Sequence, residues 1–179
     1  TNSSYSIYGL NYYSYFSENI FNMKKSLSLL LVFVLFILPA FSQEIKLKDF
    51  DKRGVELIDS FMNVLLQNAA DEMAAAKAAM PYIHRSEYNN QGTQLMQDRL
   101  NFSFKKAWQN AKFYAWPVMV TRIQQQNLSQ VGFGETAEAG TGFKVWISKK
   151  EGVSGMPAPM NVFFPADGSA PKLNYYGSL

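Results

Sequence analysis

Apolar side chains recur every three to four residues up to about Tyr114 and every second residue beyond it, and this change of period restricts the fold more than any other feature. From Asp49 to Met80, the residues Ile58, Phe61, Met62, Leu65, Ala69, Met73, Ala76 and Met80 fall on one face of an amphipathic helix. Asp49 or Asp51 is placed to cap its start, Gln67-Asn68 marks a bend, and Pro81 ends the pattern. A polar and aromatic loop, Pro81 to Gly92, follows. Thr93 caps a second helix running to about Lys112, with Met96, Leu100, Phe104, Ala107, Trp108 and Ala111 as its apolar stripe.

After Tyr114 the reading is strand. Trp116 to Gln124 and Ser129 to Glu135 are rich in β-forming residues. Thr141 to Lys150 alternates, with Phe143, Val145 and Ile147 on one side and Lys144, Trp146 and Ser148 on the other. Gly152 to Pro159 is a loop, Met160 to Phe164 a short strand, Asp167-Gly168 a turn, and Pro171 to Tyr176 the last strand. Helices followed by a meander of strands predict an α+β fold, with the helices packed on one face of an antiparallel sheet.

A second pattern lies ahead of this region. Met23 is followed by Lys24 and Lys25, then by an apolar run from Leu27 to Leu38, the helix breaker Pro39, and small residues in Ala40-Phe41-Ser42. That is the layout of a bacterial-type export signal, with cleavage expected after Ser42. The apolar run falls short of the roughly 20 residues that a spanning helix needs. The expectation is therefore an exported protein, periplasmic or extracellular, with no membrane association after cleavage. Residues 1–22, almost all Asn, Ser, Tyr, Ile and Phe, are read as translated upstream DNA, with a disordered tyrosine-rich arm as the alternative. The mature chain is then a single domain over 43–179.

The chain has no cysteine, which excludes a lipoprotein, disulfides, and thiolate catalysis or metal binding. Of its 17 Lys+Arg, Lys24 and Lys25 lie in the signal, and of its 14 Asp+Glu, Glu18 precedes it, so the mature domain carries about +2. Lys105-Lys106 and Lys149-Lys150 are isolated pairs rather than a basic stripe, which argues against nucleic-acid binding.

The order of a long helix, a second helix and a twisted antiparallel sheet resembles the NTF2-like (cystatin-like, SnoaL-like) cone. The closing residues carry the likeness best: Val162-Phe163-Phe164-Pro165, Asp167-Gly168, and Lys172 to Leu179 look like that family's final hairpin. The resemblance spans Asp49 to Leu179 and implies a curved sheet wrapped around a pocket that the helices close. It does not fix function, because the fold serves enzymes, carriers and scaffolds alike.

Catalytic relatives of that kind place acid/base residues inside the pocket. Here the clear strand segments hold no carboxylate, Glu135 near a strand end excepted. His84, the only histidine, stands three residues before Glu87. These two are the candidate base and orienter of a small-molecule isomerase, dehydratase or hydrolase, with Arg85 holding an anion; the competing reading is a histidine bonded to backbone at a loop or helix end. One histidine without a cluster of carboxylates beside it makes no zinc site, so neither metal nor cofactor is expected. Asp71-Glu72 reads as a solvated pair. Gly132-Phe133-Gly134 and Gly140-Thr141-Gly142 do not join a strand to a helix, so they read as turns and bulges rather than phosphate loops.

The aromatic residues Tyr82, Trp108, Trp116, Trp146 and Tyr175, with Tyr114 and Tyr176 beside them, are the candidates to line a cavity for a small apolar ligand. Trp146 stands opposite the apolar row of its strand, at the pocket or exposed on the sheet, where it would equally suit a protein partner or a homodimer. The leading expectation is thus an exported, non-catalytic binding domain for a small apolar ligand or a protein partner. A small-molecule enzyme and a structural dimerisation module are the alternatives.

Overall fold

Asn68 and Asp71 divide what the apolar spacing suggests is one long helix. The computed structural model describes residues 43–179, and the readings of residues 1–22 and 23–42 lie outside the described residues. Helix α1, Lys52–Gln67, starts at Asp51, whose side chain accepts a hydrogen bond from the Arg53 amide. It ends at Asn68, which folds its own side-chain amide back onto the Val64 carbonyl (2.8 Å). Asp71 then accepts from the amides of Met73 and Ala74 and starts α2, Glu72–Ala79. The break re-aims the second helix. α2 buries Ala75, Ala76 and Ala79, and Met73, placed on the apolar stripe by the spacing, lies exposed. Asp71 is thus a cap that remains exposed to solvent, with Glu72 half-buried beside it.

The second predicted helix also starts later than expected. Thr93 does not cap it; its amide and hydroxyl bond Asn89 in a tight loop. A wide π-turn, Arg99–Phe104, leads into α3, Lys105–Asn110, and a 3-10 turn, Ala111–Phe113, ends it.

Five strands follow the predicted change of period, and a sixth, β1, Glu44–Ile45, lies ahead of the helices. The others are β2, Val120–Gln125; β3, Gln130–Val131; β4, Glu138–Ile147; β5, Ala158–Pro165; and β6, Lys172–Tyr175. They form one open antiparallel sheet in the order β1-β2-β4-β5-β6, and β3 pairs with the start of β4. Trp116 to Met119 are irregular, so the strand expected from Trp116 starts only at Val120. Residues 129–135 contain only the two-residue β3, followed by a 3-10 turn at Gly134–Thr136.

The core lies between the helices and one face of the sheet. Ile58, Phe61, Met62 and Leu65 of α1 meet Ile123, Val145, Ile147, Met160, Val162 and Leu173 of the strands, all at or near zero exposure. Phe104 and Tyr176 fill the same layer, their rings meeting edge to face at 6.3 Å. Each buried large apolar side chain of this kind contributes roughly 1.5–3 kcal/mol. The α+β architecture predicted from the spacing therefore stands. Among the described residues no helix is long and apolar enough to cross a membrane.

Candidate functional site

The face of the sheet turned away from the helices carries the most unusual chemistry. On β4 it is formed by alternate residues: Glu138, Gly140, Gly142, Lys144 and Trp146. At the start of the strand, two glycines leave room for other segments to fold over it. A β-carbon on Gly140 would meet the Phe164 carbonyl oxygen at 2.2 Å and the Phe163 ring at 2.5 Å, and one on Gly142 would meet Leu128 at 2.8 Å. Phe163 therefore lies fully buried on this outer face, apart from the main core.

His84 closes the other side of Phe163, the two rings standing nearly perpendicular with centroids 5.5 Å apart. It is brought there by a backbone bridge. Ile83 pairs in parallel with Leu173 beyond β6, and the His84 amide donates to the Leu173 carbonyl (2.8 Å). The ring is 1% exposed, and both nitrogens are engaged. Nδ1 accepts from the Ser86 amide (3.1 Å) and lies 2.9 Å from Ser86 Oγ, which puts the proton on Nε2, and Nε2 donates to Glu138 Oε2 at 2.9 Å. Burial pushes the ring's proton affinity below that of a free histidine. The Glu138 carboxylate opposes that shift and the Lys172 charge adds to it.

Ser86, His84 and Glu138 are the groups of a hydrolytic relay, but the roles differ. The Nδ1 lone pair is shared with the backbone amide of Ser86 itself, so the histidine caps the Arg85–Glu87 turn. The expected contact of His84 with Glu87 is not formed. Glu87 turns the other way and pairs with Arg99 Nε at 2.7 Å; burial raises its carboxyl above the ordinary range while Arg99 opposes the shift. Arg85 stacks over Tyr88 and holds no anion site with His84. The Tyr88 hydroxyl donates to the carbonyls of Met80 and Ile83.

Glu138 is the residue that sequence reasoning missed. It was overlooked because Gly140 and Gly142 read as turn residues, which cut the strand short at Thr141. The alternation Glu138, Gly140, Gly142, Lys144, Trp146 carries the signal once glycines are allowed as strand positions under an overlying chain. The carboxylate-free strands expected from the sequence are thus corrected by a strand carboxylate bonded to the only histidine. Glu135 itself lies in the Gly134–Thr136 turn.

At the far end of β4 the same face stays open. Trp146 stands between two cations, with the Arg122 guanidinium carbon 4.8 Å and Lys144 Nζ 5.2 Å from its ring centroid. The register explains this, since Arg122 pairs with Trp146 across β2 and β4, and Lys144 is two residues before it. The nearest acid is Glu44, a loose 3.7 Å from Arg122. Gln124, Lys144, Asn161 and Tyr175 continue the face in one row across four strands.

Of the remaining aromatic candidates, only Tyr175 shares this face. Trp108 is half-buried and ties the break between α1 and α2 by donating to the Asn68 carbonyl (3.0 Å). Trp116 is 51% exposed, and its indole N–H reaches the Asp59 carbonyl at 3.4 Å. Tyr175 is 41% exposed and bonds Ser178. Tyr82 borders a cleft at the sheet edge. No cluster of three or more metal-ligating side chains occurs among the described residues.

No protein-family model matches this chain, and no curated protein or solved structure matches it significantly.

Proposed function

We propose that residues 43–179 are an exported, non-catalytic binding module of the NTF2-like kind, which docks an acidic patch of a protein partner on the open end of its outer sheet face. One observation carries the reading: Trp146 held between Arg122 and Lys144, with only the distant Glu44 to balance them among the described residues. Cations stacked on an indole are held in place before a partner arrives, so less side-chain freedom is lost on docking. Aromatic and arginine side chains are also the residues that most often anchor protein interfaces.

The same features separate this reading from its rivals. An apolar ligand inside a cone needs room between helices and sheet, and Phe61, Phe104, Met160 and Tyr176 occupy that layer. A catalytic histidine needs a free lone pair, and the lone pair of His84 is spent on Ser86. A two-fold homodimer through this patch would set Arg122 and Lys144 against their own copies, which like-charge repulsion disfavours.

The test is a titration of the purified chain with a glutamate-rich peptide, followed by tryptophan fluorescence and repeated with Lys144→Glu. The expected result is saturable binding that weakens as salt rises and is lost in the variant. Equal binding by both proteins, or no binding by either, overturns the proposal. Sedimentation showing a dimer that Trp146→Ala dissolves favours the dimerisation module instead.

A further inference from the structure

A second site lies at the opposite edge of the sheet. Between the first turns of α1, the Met80–Tyr82 turn and the approach to β6 is a cleft of about 470 Å³. Its floor is apolar, formed by the buried Leu57 and Pro171, and Pro81 and the ring of Tyr82 form one wall. Three charged side chains stand on its rim: Arg53, Glu56 and Lys172.

Those charges are not equivalent. The Arg53 guanidinium is taken by Asp51, with Nη2 2.8 Å and Nε 3.0 Å from one carboxylate oxygen. Among the described residues the Lys172 ammonium touches only the Pro81 carbonyl, at 2.6 Å, and no carboxylate pairs with it. An ammonium has three donors, so two of them are left for a ligand at the mouth of an apolar cleft. Glu56 has no ion pair among the described residues and disfavours a second negative charge nearby.

We propose that this cleft binds a small organic monocarboxylate, its carboxylate on Lys172 and its apolar body over Leu57, Pro171 and Tyr82. The site is separate from the Trp146 face and does not depend on the protein-partner reading. The carboxylate supplies the counter-charge that Lys172 lacks, and the two prolines and the tyrosine ring give a stiff apolar surface that loses little freedom on binding.

The probe is octanoate, with acetate and 1-octanol as controls that keep only the head or only the tail. NMR of the intact chain provides the readout, because His84 is its only histidine. The positive charge of Lys172 lowers the proton affinity of the His84 ring, so a carboxylate on Lys172 must raise the midpoint of the ring's titration. Octanoate is expected to bind with Kd on the order of 0.1–1 mM and to move the histidine midpoint upward. Acetate and octanol should do neither at the same concentration. Lys172→Met should weaken binding about tenfold or more. Glu56→Gln, an exposed change that leaves the core untouched, should tighten it about two- to threefold. Absence of saturable octanoate binding overturns the proposal. Equal binding of octanol does so too, as does a histidine midpoint that stays still while octanoate binds.

Discussion

The outer face of the sheet is built in two opposite ways along the single strand β4. At its start Gly140 and Gly142 have no side chains, so Phe163 and Leu128 come within touching distance of the backbone and His84 closes over the ring. At its end Lys144 and Trp146 fill their own positions and lie half-buried, with the cations of Arg122 and Lys144 against the indole. The strand geometry and the register with β5 are continuous from one end to the other. What differs is the volume on alternate residues. A sheet face closes where the side chains are small enough for another segment to land, and stays open where large side chains already cover it.

That contrast can be broken from either end. The largest effect is expected at the closed end, where Phe163→Ala should cost about 3–5 kcal/mol, because it empties a fully buried site whose glycine floor cannot move in to fill it. Urea denaturation measures this, and a loss under about 1 kcal/mol would mean that the outer cluster is not a packed core. Gly140→Ala should follow at about 2–4 kcal/mol, since the new carbon meets a backbone oxygen at 2.2 Å that cannot rotate away. A neutral result would show that β4 and β5 separate easily at this end.

His84→Gln is a smaller change, expected at about 1–3 kcal/mol, because Glu138 and the Ser86 amide lose their partner. It also has a sign in pH. Burial, helped by Lys172 and opposed by Glu138, holds the folded ring below the ordinary histidine value, so the unfolded chain takes up a proton first. The contribution of His84 is therefore full above about pH 6.5 and is lost as pH falls below it through the folded value. Wild type should lose stability between neutral and acid pH faster than His84→Gln does. Parallel pH profiles would show that the ring does not carry this linkage. The least costly change is expected at the open end, where Trp146→Ala should cost less than about 1 kcal/mol. A cost near that of Phe163→Ala would erase the distinction between the two ends.

Much of this fold is legible in local pattern. The switch to alternating residues near Tyr114 places β2 to β6 after the helices, and the row Phe143, Val145, Ile147 faces the core as the alternation implies. Local reading failed where a side chain bonds backbone. The bend at Gln67-Asn68 was legible, but Asp71 starts a new helix inside the apolar stripe, and Asn89 takes Thr93 into a loop. The partner of His84 was illegible for a different reason. Glu138 is 54 residues away in sequence, and only the bridge of Ile83 to Leu173 brings the two elements together. Nothing in the spacing of Tyr82, Trp108, Trp116, Trp146 and Tyr175 shows that only Trp146 and Tyr175 share a sheet face.

Sequence alone determined that helices come before the main run of strands and which face of most of these elements is apolar, because helix and strand periods follow from backbone geometry within a few residues. Tertiary structure alone decided which polar groups meet. His84 went to Glu138 rather than Glu87, Glu87 to Arg99, and Lys172 was left without a counter-charge among the described residues. Those pairings depend on how strands register and where loops cross, which are set by the packing of the whole chain and leave no periodic trace in it.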